Sequence, residues 1–195
     1  MTNLDIGSIS PVIGALFGAA LTATVNLAIW MIGRRNDRKS STLKRYRFYY
    51  SREMGEARFK AELLIRKNSH RDWSTFDPYQ SESSDDEREG YSEVIRFFHL
   101  LAILYEEHEV LRKLTAKLFA REYGYWDGLL FRPMKDRHSW WTGPAIREFG
   151  RKIIASEAKS LYLQGLAKGQ RQRGLRILEQ SDHRRRVVIA YETIE

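Results

Sequence analysis

Apolar positions in this chain form one unbroken block followed by a series of helically spaced stripes. The block, Pro11 to Gly33, is 23 residues long and contains no ionisable side chain. As a helix it measures roughly 34 Å, enough to cross a hydrocarbon core of about 30 Å. Ser10 is placed to cap its start, and Pro11 suits the first turn, where a missing N–H costs nothing. Beyond it, Leu43, Tyr46, Tyr50, Met54, Phe59, Leu63 and Leu64 recur at near-helical spacing, and no proline intervenes before Pro78. The pattern therefore predicts that the block continues into a stiff helical stalk over 34–67.

Between Asn68 and Gly90 the chain turns polar and acidic, with Pro78 and Gly90 as breakers, and reads as a linker over 68–90. Val94 to Tyr105 is apolar almost all round, but it is 12 residues long, contains Arg96 and His99 and ends in glutamates. That length suits the buried central helix of a bundle and not a second span. Leu111, Leu114, Leu118 and Phe119 mark a further helix after a break near His108, ending at Pro133. Gly143 and Pro144 open another, with Ile146, Phe149, Ile153, Ile154, Leu161 and Tyr162 on its core side, and Leu166 to Gln180 reads as a final, more polar helix. Val187 to Tyr191 is β-branched enough for a short strand or a docked tail. There is no internal repeat and no strand–helix alternation. The expected fold class is mainly α: a short external N-terminus over 1–10, a transmembrane helix over 11–33, a basic juxtamembrane helix over 34–67, an acidic linker, and a helical cytoplasmic domain over 91–195.

The first ten residues carry Asp5 and no basic side chain, which is the wrong flank for a cleaved signal peptide, so the block reads as a retained anchor. Arg34, Arg35, Arg38 and Lys39 follow it directly, and the positive-inside rule then places the N-terminus outside and the rest in the cytoplasm. The absence of cysteine agrees with a reducing compartment. Along the block Gly14, Gly18, Thr22 and Asn26 repeat every four residues, giving one small, weakly polar face. In lipid such a face lets two helices approach closely, and the Asn26 carboxamide seeks a partner there. The expected partners are therefore copies of the chain or another membrane protein.

The formal charge of +8 is concentrated next to the membrane: residues 34–67 hold 12 Lys or Arg against 4 Asp or Glu, whereas 68–195 hold 21 against 20. This placement favours anionic lipid headgroups, met by Arg34, Arg35, Arg38, Lys39, Lys44 and Arg45, over nucleic acid. A second basic cluster, Lys168, Arg171, Arg173, Arg176 and Arg184 to Arg186, reads as a solvated helix face. The acidic group Glu82, Asp85, Asp86, Glu87 and Glu89 lacks the glycine turn and spacing of a calcium loop and also reads as solvated; no metal or other cofactor is expected. His99 reads as a core imidazole, His70 and His108 as loop or cap residues, and Trp140 with Trp141 as an aromatic corner between helices.

Glu93 through Trp126, with Phe97-Phe98, Leu101-Ala102, an acidic break, a second apolar helix and Tyr125-Trp126, resembles a family of uncharacterised bacterial proteins with one N-terminal span and a helical cytoplasmic domain. The resemblance covers roughly residues 11–150 and implies an inner-membrane location and no particular activity. This chain departs from the family pattern in lacking the glycine that separates the two helices near Glu106 to Glu109. Separately, Arg132 with His138, and Arg176 with His183, match the R-x(4–6)-H spacing of HEPN ribonucleases, where arginine stabilises phosphate charge and histidine handles a proton. An arginine-rich chain with five histidines produces such spacings by chance. No zinc-protease, serine-hydrolase or phosphate-loop motif occurs.

The expected function is a membrane-anchored protein that self-associates or docks through its span and presents a cytoplasmic interaction domain. In its sharper form, a ring of spans surrounds a pore, as in effectors of bacterial antiphage defence, with Thr22 and Asn26 facing the lumen. An accessory single-span subunit of a larger membrane complex is the second reading, and a HEPN-like ribonuclease using Arg176 and His183 the third.

Overall fold

The computed structural model describes residues 6–68, 83–134 and 142–173, with α1 side chains described from Ala15 onward. It is predominantly helical over these residues and has no strand among them. α1 (Ile6–Tyr49) is one continuous helix of 44 residues; α2 (Arg52–Lys67), α3 (Asp85–Glu106), α4 (Arg112–Trp126), α5 (Gly143–Ile154) and α6 (159–173) form a bundle around its C-terminal third.

The stalk is not one helix to residue 67. It breaks at Tyr50–Ser51, because the Ser51 side chain accepts a hydrogen bond from the Met54 N–H and starts α2 as a separate element. α2 then turns to pack antiparallel on α3: Lys67 pairs with Glu87 at 2.5 Å near one end, while Gly90 lies against Ala57 and Lys60 further along. A Cβ on Gly90 would sit 2.6 Å from the Ala57 carbonyl oxygen, so this glycine permits close approach within a helix and is not a breaker. α3 begins at Asp85, inside the stretch expected to be linker. Ser84 and Glu87 form a reciprocal capping box there, and Asp85, Asp86 and Glu87 occupy the first turn, where carboxylates oppose the helix dipole favourably. Residues 69–82 lie outside the described residues.

The α3–α4 connection is tight. His108 adopts φ 59°, the left-handed conformation more usual for glycine. α4 is followed without a break by a buried π-helical turn, Asp127–Phe131, in which the Arg132 N–H bonds to the Asp127 carbonyl at 3.0 Å. α5 opens with Gly143 and Pro144 as expected, but ends at Ile154; a turn over 155–158, in which Ser156 donates to the Ile153 carbonyl at 2.6 Å, separates it from α6.

The core is aromatic. Tyr49, Phe97, Phe98, Phe119, Tyr123 and Phe131 pack largely edge-to-face with centroids 5.0–6.0 Å apart, and Trp126 and Phe149 are equally buried beside them. His99 is a correction: it lies half-buried on α3 between the core residues Phe98 and Leu101, and desolvation holds its pKa below the ordinary histidine value.

α4 and α6 are the closest pair. A Cβ on Gly124 would collide with the Tyr162 carbonyl, and one on Gly128 with the Leu166 carbonyl. Reciprocally, one on Gly165 would strike the Arg121 carbonyl, and one on Gly169 the Tyr125 carbonyl. Residue numbers rise together on both sides, so the helices run parallel with two glycine pairs, each spaced by four, facing one another.

Candidate functional site

α1 divides into two environments. From Leu16 to Ile32, nine large apolar side chains are exposed and none touches the bundle; the helix is long and apolar enough to span a membrane, with a mean hydropathy of 1.8 in its most apolar window. Gly18 lies in this part, and a Cβ on it would meet nothing within 4 Å; Gly14 is in the same helix, but its surroundings lie outside the described residues. The Thr22 hydroxyl donates to the Gly18 carbonyl at 2.9 Å, so its polarity is satisfied within the helix. Asn26 is exposed, and its carboxamide makes no hydrogen bond among the described residues. Arg34, Arg35, Lys39 and Lys44 are exposed, Arg38 and Arg45 partly covered, and the Arg34 guanidinium sits 5.2 Å from the centre of the Trp30 ring.

The helix enters the bundle at Thr42, which is fully buried. Its hydroxyl donates to the Arg38 carbonyl at 2.8 Å and accepts from the Leu111 N–H at 2.9 Å. Leu111 caps α4 without a side-chain hydrogen bond of its own, so α1 satisfies one of the unpaired donors at the start of α4. One turn and two turns further on, Tyr46 stacks edge-on to Phe119, and Tyr49 receives a hydrogen bond from the Trp126 indole at 3.0 Å.

Tyr49 lines an open cleft of about 410 Å³ walled by α2, α4 and α6. Two of its carboxylates are engaged by tyrosines: Tyr125 donates to Glu62 at 2.7 Å, and Tyr50 donates to Glu122 at 2.9 Å. Burial, with Glu122 beside it, pushes the Tyr50 phenol well above the ordinary tyrosine range, so it stays a donor. Three cations face the same space. Arg58 lies over the Tyr49 and Tyr50 rings at 4.5 and 5.5 Å, and its Nε is buried without a hydrogen-bond partner among the described residues. Arg121 and Lys168 are exposed and form no ion pair among the described residues; Lys168 sits 5.6 Å from the Tyr125 ring centre. The sequence pattern gives Arg58 and Arg121 no distinction from solvated charges, and Lys168 appears there only as part of a basic face. Four-residue glycine spacing in 124–128 and 165–169 is the signal that could have located the cleft, since it brings α6 against α4.

Arg132 is held structurally. Its Nε donates to Asp127 at 3.0 Å and its Nη2 to the Tyr162 hydroxyl at 2.9 Å, while Tyr162 donates to the same Asp127 oxygen at 2.6 Å. Burial and the Asp127 hydrogen bond push the Tyr162 phenol up to about 12. This triad pins the π-helical turn to α6. His138, Arg176, His183, the Trp140–Trp141 pair and Val187 to Tyr191 lie outside the described residues. Among the described residues no group of three His, Asp or Glu is placed to hold a metal ion.

Comparison with models of protein families, with curated proteins and with solved structures finds no match to this chain.

Proposed function

We propose that this is a membrane-anchored assembly protein of the bacterial inner membrane, with residues 11–33 crossing the bilayer and the N-terminus outside. The basic collar Arg34, Arg35, Arg38 and Lys39 rests on anionic headgroups, each charge contributing about 1 kcal/mol near the surface. The observation that supports this reading is the division of α1: an exposed apolar stretch with an unpartnered Asn26 at one end, and at the other a terminus built into the core through Thr42, Tyr46 and Tyr49. One rigid helix thus ties whatever gathers the spans to the cytoplasmic bundle.

Lateral contact runs through Gly14, Gly18 and Asn26, the face where helices approach most closely and where a carboxamide in hydrocarbon gains a partner. The cysteine-free chain offers a direct test. With Gly18→Cys as the sole cysteine, oxidation in native membranes is expected to give covalent dimers that Asn26→Leu diminishes. Monomer alone, with no foreign membrane protein co-purifying, would sink the proposal; one copy among foreign chains would convert it to the accessory-subunit reading.

A further inference from the structure

We propose that the cleft between α2, α4 and α6 binds a small phosphate-bearing ligand with a planar ring, the chemistry of a nucleoside monophosphate. Its volume, about 410 Å³, falls within the range of roughly 300–1,000 Å³ typical of small-molecule sites. The concavity is built from missing side chains: Gly165 lets α6 press on α4, and Gly55 leaves the α2 wall low.

Charge in the cleft is sorted by engagement. Glu62 and Glu122 accept hydrogen bonds from tyrosine hydroxyls in the walls. Among the described residues Arg58, Arg121 and Lys168 have no carboxylate within ion-pair distance, and the buried Arg58 Nε has no hydrogen-bond acceptor. A phosphate supplies the missing acceptor, and a guanidinium matches its geometry. The planar component follows from Phe59, a large ring on the cleft wall left 63% exposed, with the Tyr125 ring across the same space. A long polyanion is disfavoured, since Glu53, Glu56, Glu89 and Glu93 line the opposite side of α2 and would repel its extension.

The ligand comes from solution and not from the bilayer. From Gly33, where the apolar stretch ends, to Tyr49 on the cleft wall is about 24 Å of helix, more than twice the Debye length of about 8–10 Å.

Calorimetric titration of the full chain in detergent tests the assignment, with the ribonucleoside monophosphates, inorganic phosphate, unphosphorylated nucleosides and a short-chain phosphatidylglycerol as separate probes. At least one monophosphate is expected to bind saturably, with phosphate and nucleoside alone each weaker by about tenfold or more. Arg121→Gln and Lys168→Gln, at exposed side chains without ion pairs, are each expected to weaken it about tenfold while the circular dichroism stays unchanged. Arg58→Gln probes the buried donor, with the same spectrum checking that the bundle survives. Absence of saturable binding by every monophosphate overturns the site. So does binding that Arg121→Gln and Lys168→Gln together leave unchanged, or phosphate or the lipid binding as tightly as any monophosphate. None of these readouts depends on oligomeric state, so a monomeric chain that binds would sink the assembly reading and leave the cleft standing.

Discussion

The same four-residue glycine spacing occurs in two regions of this molecule with opposite results. In the bundle, Gly124 and Gly128 face Gly165 and Gly169 across a helix contact so close that any side chain would strike backbone. In the upper part of α1, Gly18 faces open space, with nothing within 4 Å of where a Cβ would stand. Glycine costs a helix about 1 kcal/mol relative to alanine, so a repeated glycine is explained when a partner backbone fills the gap. For α4 the partner lies in the same chain. For α1 no partner exists within the described residues, which is why the assembly proposal looks for it in a second molecule.

The largest effect that separates the two regions comes from filling each glycine. Gly165→Val puts a branched side chain against the Arg121 carbonyl and the Tyr125 N–H, neither of which can move without breaking α4. It is expected to destabilise the bundle by about 3 kcal/mol or more, read by chemical denaturation in detergent. Gly18→Leu is expected to leave bundle stability within about 0.5 kcal/mol while reducing disulfide cross-linking in membranes, read with Gly14→Cys as the sole cysteine. If both variants unfolded the bundle equally, the distinction between an internal and an external partner would fail.

The next effect sharpens the bundle side. The Tyr162 phenol, buried against Asp127, titrates in the folded state near 12 against an ordinary value near 10.0. A raised folded pKa means the neutral form is favoured, so this contribution is complete below about pH 10 and is lost as the pH climbs towards 12. Tyr162→Phe removes the 2.6 Å hydrogen bond to Asp127 and is expected to cost about 1–2 kcal/mol at neutral pH. The decline in stability between pH 10 and 12 should be shallower in the variant than in the parent chain. An identical alkaline slope would remove Tyr162 from the account.

At the seam between the two regions, Thr42→Val keeps the shape of the side chain and deletes the hydroxyl that receives the Leu111 N–H. A lost cap of this kind is worth about 1 kcal/mol, and hydrogen exchange should quicken at the start of α4 while α2 and α3 stay protected. Uniform acceleration across the bundle would mean that Thr42 is an ordinary core residue and no junction.

Legibility in the sequence followed the physics of each element. The exposed apolar part of α1 and the central α3 were readable because an unbroken apolar run admits few alternatives, and the start of α5 because Pro144 marks a first turn. The end of the stalk was not, since Ser51 is an unremarkable serine until its side chain is seen capping Met54. Gly90 reads as a breaker because isolated glycine weakens helices, and only the packing of α2 against it shows otherwise. The cleft was the least readable part: Arg58, Arg121 and Lys168 come from three helices, and solvent-facing charges carry no sign of what they surround.

The smallest effect concerns the tight connection between α3 and α4. His108 holds φ 59° between α3 and α4, a conformation that costs a residue with a Cβ about 1 kcal/mol and costs glycine almost nothing. Glycine also gains freedom in the unfolded chain, which offsets part of that difference. His108→Gly is therefore expected to stabilise the bundle by a few tenths of a kcal/mol up to about 1 kcal/mol, visible as a rise in the denaturation midpoint without a change of slope. The Thr42–Leu111 bond lies just beyond this turn, so the same variant should also slow exchange at the start of α4, opposite to Thr42→Val. A destabilised His108→Gly variant would show that the imidazole supplies a contact that outweighs the strain of its backbone.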